Sequence, residues 1–140
     1  MNILLDTDVL LDVGLWREPW AKRSKAILDL CEAHVVSGFV AWHTVSNVFY
    51  LVRHQAGSDA RPYIDGLLRF VEVAQVGHAE MQLALRLDMS DLEDAMQAAA
   101  AAACGADRIV TRNARDFKRS PIPAVTPKGL LREMAKDASR

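Results

Sequence analysis

Asp6, Asp94 and the pair Asn113 and Asp116 lie far apart in the chain, yet each sits where an apolar run ends or a helix begins. Asp6 closes the run Ile3-Leu4-Leu5, and Asn113 and Asp116 follow the apolar pair Ile109-Val110. Asp94 occupies the first turns of a helix opened by Ser90-Asp91-Leu92-Glu93, with Asp91 one turn earlier on the same side. Carboxylates gathered without matching cations repel one another, and a hard divalent ion with oxygen ligands makes such a cluster tolerable. Mg²⁺ or Mn²⁺ is the ion that suits it. The remaining acids have plainer accounts. Asp91 and Glu93 serve the cap and the helix dipole, Asp8 caps a helix starting at Val9, and Asp12 is a surface acid.

These side chains need elements that bring them together. Ile3-Leu4-Leu5 is short and wholly apolar, as a buried parallel strand would be. A helical pattern runs from about Trp20 to Ala33, followed by a second β-like run, Val35 to Val40, interrupted by Gly38. Helical spacing returns through Val45, Val48, Phe49 and Val52 and again from Arg61 to Phe70, with a third strand over Val71 to Val76. A helix over His78 to Leu87 precedes the alanine-rich helix, which stops at Cys104-Gly105. Ile109-Val110, a short run Ala124-Val125-Thr126 and a helix after Pro127, frayed from about Lys136, complete the chain. Strands alternating with helices predict one α/β domain over residues 1–140, a three-layer sandwich with a mostly parallel sheet of about five strands. Such sheets place their chemistry at the carboxyl ends of strands, beside a switch in strand order.

The 140 residues are 51% hydrophobic and 25% charged, the balance of a globular chain with a real core. A net charge of -1 excludes a broadly basic nucleic-acid surface, so any basic footprint must be local. Arg108, Arg112, Arg115, Lys118 and Arg119 crowd the stretch that carries Asn113 and Asp116, and Lys22, Arg23 and Lys25 offer a second basic wall. Either group suits RNA phosphates or a solvated face. Trp16, Trp20 and Trp42 fit a core or a subunit contact better than base stacking, and His34, His43, His54 and His78 lack ligand spacing. Cys31 and Cys104 form no CxxC pair and read as buried free thiols. The opening MNILLDTD shows neither a basic leader nor a long apolar stretch, so the expectation is a cytoplasmic protein with no membrane partner.

Four stretches taken in order, DTDVLLD, HTVSNVFYL, DLEDAMQAAAA and IVTRNARDF followed by TP and a helix, resemble a PIN domain from Met1 to about Met134. The likeness is greatest to toxin nucleases of VapBC-type toxin–antitoxin modules. It implies a doubly wound parallel sheet and Mg²⁺- or Mn²⁺-dependent RNA cleavage. Asp6 matches the family's first acid, Asp94 the acid heading the alanine-rich helix, and Asp116 the last, in an element whose hydroxyl member is Thr111. Asn47 and Asn113 stand where many members carry glutamate and aspartate. An amide oxygen still ligates a hard cation, but without charge. The resemblance assigns Asp6, Asp94 and Asp116 as catalytic metal ligands with Asn47 and Asn113 beside them; if the site cuts RNA, Arg112, Arg115 and Lys118 of the crowded basic loop would hold it. It further implies a homodimer inhibited by a small antitoxin.

Two other readings fit part of the chain. ILLDTDVLL resembles the opening of haloacid-dehalogenase-type phosphatases, with Asp6 as nucleophile and Asp8 as acid/base, though the later lysine and paired acid of that class are missing. The second is a PIN-like domain that binds RNA or a partner and cuts poorly, the two asparagines marking its weakened site.

Overall fold

Three apolar residues at the start of the chain already impose two cores. The computed structural model describes residues 1–140, and in its first strand, β1 (Asn2–Leu5), Ile3 and Leu5 enter one cluster while Leu4 enters another on the opposite face. That alternation is the pleat of a strand buried on both sides. The chain continues through α1 (Thr7–Gly14), α2 (Ala21–Glu32), β2 (Ser37–Val40), α3 (Trp42–Ala56), α4 (Arg61–Leu67) and β3 (Val71–Val73). Then follow α5 (His78–Arg86), α6 (Leu92–Ala103), β4 (Arg108–Val110), a 3-10 turn (Ala114–Phe117), β5 (Ala124–Val125) and α7 (Pro127–Ala138).

The five strands are all parallel in the order β3-β2-β1-β4-β5. The chain fills one half of the sheet outward from β1, then crosses back to add β4 on the other side, so the order switches between β1 and β4. Helices α1, α2, α3, α4 and α7 cover the face receiving Ile3, Leu5, Val40, Val71 and Val110. On the other face α6 meets Leu4 and Ile109 through Ala98 and Ala101, and α5 packs outside it through Ala84 against Ala95 and Ala99. The expected three-layer α/β/α sandwich is the architecture found, with the sheet wholly parallel.

Several local expectations need correction. Gly38 does not interrupt β2: it pairs with Ile3 on one side and Val71 on the other, and Cys31 Sγ lies where a side chain would begin. β3 stops at Val73 instead of Val76 because its neighbour ends at Val40, whose carbonyl takes the last ladder bond from Ala74 N–H. Helix α1 starts at Thr7 and is capped by Asp6, so Asp8 is not its cap. Helix α6 is capped by Asp91, which accepts from Asp94 N–H, so the cap lies one residue beyond Ser90. Helix α7 runs from Pro127 to Ala138. Cys31 is a buried free thiol as expected, while Cys104 is only half-buried.

A Cβ on residue 38 would sit 2.7 Å from Cys31 Sγ and 3.4 Å from Val71 Cγ2. Gly38→Ala is expected to lower the unfolding free energy by about 1–3 kcal/mol in urea. Combining it with Cys31→Ala should cost less than the two changes summed, because the sulfur is what the new methyl strikes. Strict additivity would show that the clash is absent.

Candidate metal centre

Asp6 leaves β1 at the point where the strand order switches. Its backbone N–H still donates to Val110 O of β4 (3.0 Å), which locks the carboxyl end of one strand against that of the next. The side chain is 6% exposed, and both oxygens are held: Oδ1 accepts from Thr7 N–H at 2.8 Å and Oδ2 from Thr111 Oγ1 at 2.7 Å. Burial and the neighbouring Asp8 push this carboxyl up to about 7, against the pull of its two hydrogen bonds.

Asp94 reaches the same region from the first turn of α6. Burial pushes its carboxyl up to about 7, helped by the charges of Asp91, Asp6, Glu93 and Asp116. Charges from two other stretches of the chain, at Asp6 and Asp116, therefore reach Asp94. Carboxylate oxygens of Asp91, Glu93 and Asp94 lie within 4.8 Å of one another, a set of hard donors with no thiolate among them. Asp116 stands in the 3-10 turn after β4, whose N–H bonds Asn113 O (2.9 Å) and whose end is pinned by buried Phe117.

Glu93 was assigned above to the cap and the dipole, and it does more. Its Oε1 accepts from Asn47 Nδ2 at 3.3 Å and from Thr7 Oγ1 at 3.4 Å, with His43 Nε2 at 3.7 Å. The nearby His43 imidazole is the main reason its carboxyl is held low. Behind it, buried Gln97 donates to Thr44 Oγ1 at 2.7 Å and Thr7 Oγ1 at 3.4 Å, tying α6 to α3 and α1. The signal for this was present in the sequence: Glu93 and Gln97, four apart, are the polar residues on the packed side of a helix otherwise made of alanines.

The two asparagines share a pattern. Asn47 donates to Glu93, and Asn113 donates through Nδ2 to Asp8 Oδ2 at 3.2 Å. Each amide thus steadies a carboxylate that an acid in its place would repel, and each keeps its own carbonyl oxygen as a donor for a cation. Asp8 also accepts from Arg112 N–H at 3.2 Å, so it ties α1 to the loop after β4.

Asp12 is not a surface acid. It is fully buried between two guanidinium groups, with Arg17 Nε at 3.0 Å and Arg112 Nε at 2.8 Å. Arg112 also lies over the Trp20 ring, 3.9 Å from its centroid, and is anchored in a way that exposed Arg115 and Lys118 are not. Among the other cations, Arg108 pairs with Glu133, Arg119 with Asp88 and Lys25 with Asp29. The tryptophans, expected in a core or at a subunit contact, are exposed, with Trp42 74% exposed.

Comparison with known proteins adds a family and a set of folds. The PIN domain family matches residues 2–115. A toxin–antitoxin complex from Klebsiella pneumoniae contains a chain 24% identical, with a TM-score of 0.66 over 89% of this chain and 97% of that one. VapBC2 from Rickettsia felis, bound to a DNA fragment from its promoter, gives 17% identity and a TM-score of 0.69 over 90% and 98%. PAE2754 from Pyrobaculum aerophilum gives 16% identity and a TM-score of 0.61 over 97% and 96%. No curated protein matches the chain. No helix is long and apolar enough to cross a membrane.

Because Asp6 and Asp94 hold protons more tightly in the folded chain than in the unfolded one, their contribution to stability is full below the ordinary aspartate pKa and is lost as pH rises to about 7. The metal-free protein should melt at lower temperature at about pH 8 than at about pH 5.5, and Asp94→Asn should raise the pH 8 melting temperature and flatten the dependence. A flat wild-type profile, or a variant destabilised at pH 8, contradicts this. Separately, Asp12→Ala strands two guanidinium groups and should lower stability by about 3 kcal/mol in urea, whereas an effect near zero would mean solvent already screens the pair.

Proposed function

We propose that this chain, which belongs to the PIN domain family, is a metal-dependent endoribonuclease and the toxin of a type II toxin–antitoxin pair. The observation that carries the reading is that the charges of Asp6 and Asp116, from two separate stretches, reach Asp94 of a third near the switch between β1 and β4. The carboxyls of Asp6 and Asp94, pushed up by burial and by neighbouring acids, are hard oxygen donors that fit Mg²⁺ or Mn²⁺, which would relieve both penalties. In this reading Asp6, Asp94 and Asp116 hold the ion, with the amide oxygens of Asn47 and Asn113 as neutral companions. When bound, such an ion supplies Lewis-acid charge to a phosphoryl oxygen and makes hydroxide available near neutral pH.

The chain's own residues then orient and hold. Thr7 N–H and Thr111 Oγ1 fix both oxygens of Asp6, so that carboxylate is aimed before any substrate arrives. Asn47 and His43 hold Glu93 at the rim, where it adds charge to the cluster. Exposed Arg115 and Lys118, on the loop that carries Asp116, would draw the RNA backbone toward the acids without reading its sequence. The likeness to a toxin–antitoxin complex supports a small antitoxin as partner. Exposed Trp42 and Tyr50 beside the apolar groove between α3 and α4 are the kind of surface that a homodimer or an antitoxin covers.

Purified protein incubated with single-stranded and structured RNA is expected to cut in Mn²⁺ or Mg²⁺ and to be silent in EDTA. Asp6→Asn, Asp94→Asn and Asp116→Asn should each lower kcat/KM by about 100-fold or more, and Thr111→Val by about 10- to 100-fold through misaimed Asp6. Cleavage that survives both EDTA and Asp6→Asn sinks the metal mechanism. Turnover of a small phosphate ester without RNA cleavage would favour the phosphatase, and RNA binding without cleavage the weakened-site reading.

A further inference from the structure

A second polar site lies on the other side of the loop after β4. There α2, Arg112 and the start of α7 enclose a pocket of about 190 Å³, several times the ~30 Å³ share of a liquid water molecule. Its walls include Arg23, Ser24, Arg112, Thr126 and Lys128, with Trp20 as the single apolar member.

Three independent features favour an anion in it. The first is electrostatic. Arg17 and Arg112 share the carboxylate of Asp12, and Arg23 and Lys128 add two further cations to a pocket whose lining contains no acid. The Asp12 contact uses Arg112 Nε, which leaves the terminal amino groups of that guanidinium as donors. The second feature is the end of a 12-residue helix. In the first turn of α7, Pro127 has no N–H and Gly129 N–H is taken by Thr126 Oγ1 at 3.0 Å, which leaves Lys128 N–H unpaired at the positive end of the dipole. The third is a hydroxyl with nothing to bond. Ser24 is fully buried and lines the pocket, and its Oγ has no hydrogen-bond partner. A buried polar group left unsatisfied is uncommon unless something outside the chain completes it.

We propose that this pocket is a phosphate-binding site, in which Ser24 Oγ, Lys128 N–H and the side chains of Arg23, Arg112 and Lys128 hold a backbone phosphate of the RNA strand at a distance from the acid cluster. Its assignment to RNA rests on the nuclease reading, whereas its affinity for phosphate does not. Thr111, next in the chain to Arg112, bonds Asp6, so a strand lying across this loop would be gripped by cations on one side and presented to acids on the other. Trp20, whose ring centroid lies 3.9 Å from the Arg112 guanidinium carbon, restrains where the donors of that guanidinium lie.

Two measurements test this without cleavage. In the first, inorganic phosphate is titrated into ¹⁵N-labelled, metal-free protein at constant ionic strength. Saturable shifts are expected at the Lys128 amide and the Trp20 indole N–H, with affinity weakened at least tenfold in Arg23→Ala/Lys128→Ala and in Ser24→Ala. Absent shifts, or equal affinity in both variants with spectra otherwise unchanged, overturn the site. In the second, binding of a labelled oligoribonucleotide in EDTA is followed by anisotropy. The double variant should weaken binding five- to tenfold and flatten its salt dependence by about one to two phosphate contacts. Unchanged RNA affinity in a variant that has lost inorganic phosphate overturns the RNA assignment and points to free phosphate or a nucleotide. Failure of wild-type protein to cut RNA would sink the proposed function while leaving both titrations to decide this site.

Discussion

Negative charge collected at one edge of a parallel sheet is the constraint that the rest of the molecule answers. β1 and β4 lie side by side with their carboxyl ends level, and Asp6 N–H bonded to Val110 O holds them so. Acids delivered there by β1, by the turn after β4 and by α6 cannot avoid one another. The chain could have neutralised them with arginines and made a stable, inert salt-bridge network. It uses neutral donors instead: Thr7 N–H, Thr111 Oγ1, and the amides of Asn47 and Asn113. These orient carboxylates without cancelling their charge, so the cluster keeps its attraction for a cation. The elevated carboxyls of Asp6 and Asp94 are the energetic trace of that choice.

Holding the acids in place requires α6 to lie close to the sheet. Alanines at 98 and 101 let the helix axis approach Leu4 and Ile109, and Ala95 and Ala99 let α5 approach from outside. A helix of larger residues would stand off and withdraw Asp94 from the switch point. Polar contact completes what small side chains begin, because Gln97 reaches Thr44 and Thr7 and so fixes the rotation of α6 about its axis. Rotation decides whether Glu93 and Asp94 face the cluster or solvent.

Much of this was legible in the sequence because it depends on local pattern. Apolar runs of strand length, the alanine helix and its acidic start, and the order of strands and helices all survive contact with the structure. What escaped depends on partners distant in the chain. Asp12 looks like a surface acid in isolation, and its burial depends on Arg112, a hundred residues later, as well as on nearby Arg17. Glu93 satisfies the rule for first-turn acids, and nothing local reveals that Asn47 and His43 will meet it. Gly38 reads as an interruption because its neighbour Cys31 belongs to another element. The shift of the α6 cap from Ser90 to Asp91 has a different origin, since both residues are competent caps and the packing of the alanine face chooses between them.

The loop after β4 shows how one short stretch serves opposite charges. In the turn that follows β4, successive side chains part to different sides. Thr111 and Asn113 turn toward Asp6 and Asp8, while Arg112 between them turns toward Asp12 and Trp20. The alternation keeps a guanidinium within two residues of the acid cluster yet directs it into a separate environment. Its own backbone N–H, meanwhile, donates to Asp8. Asp12 is what makes the separation durable: without a buried counter-charge on α1, the guanidinium would be free to swing toward the acids it is now kept from. A fully buried aspartate that takes no part in the acid cluster is thus the strut that lets cation-rich and acid-rich surfaces share a single loop.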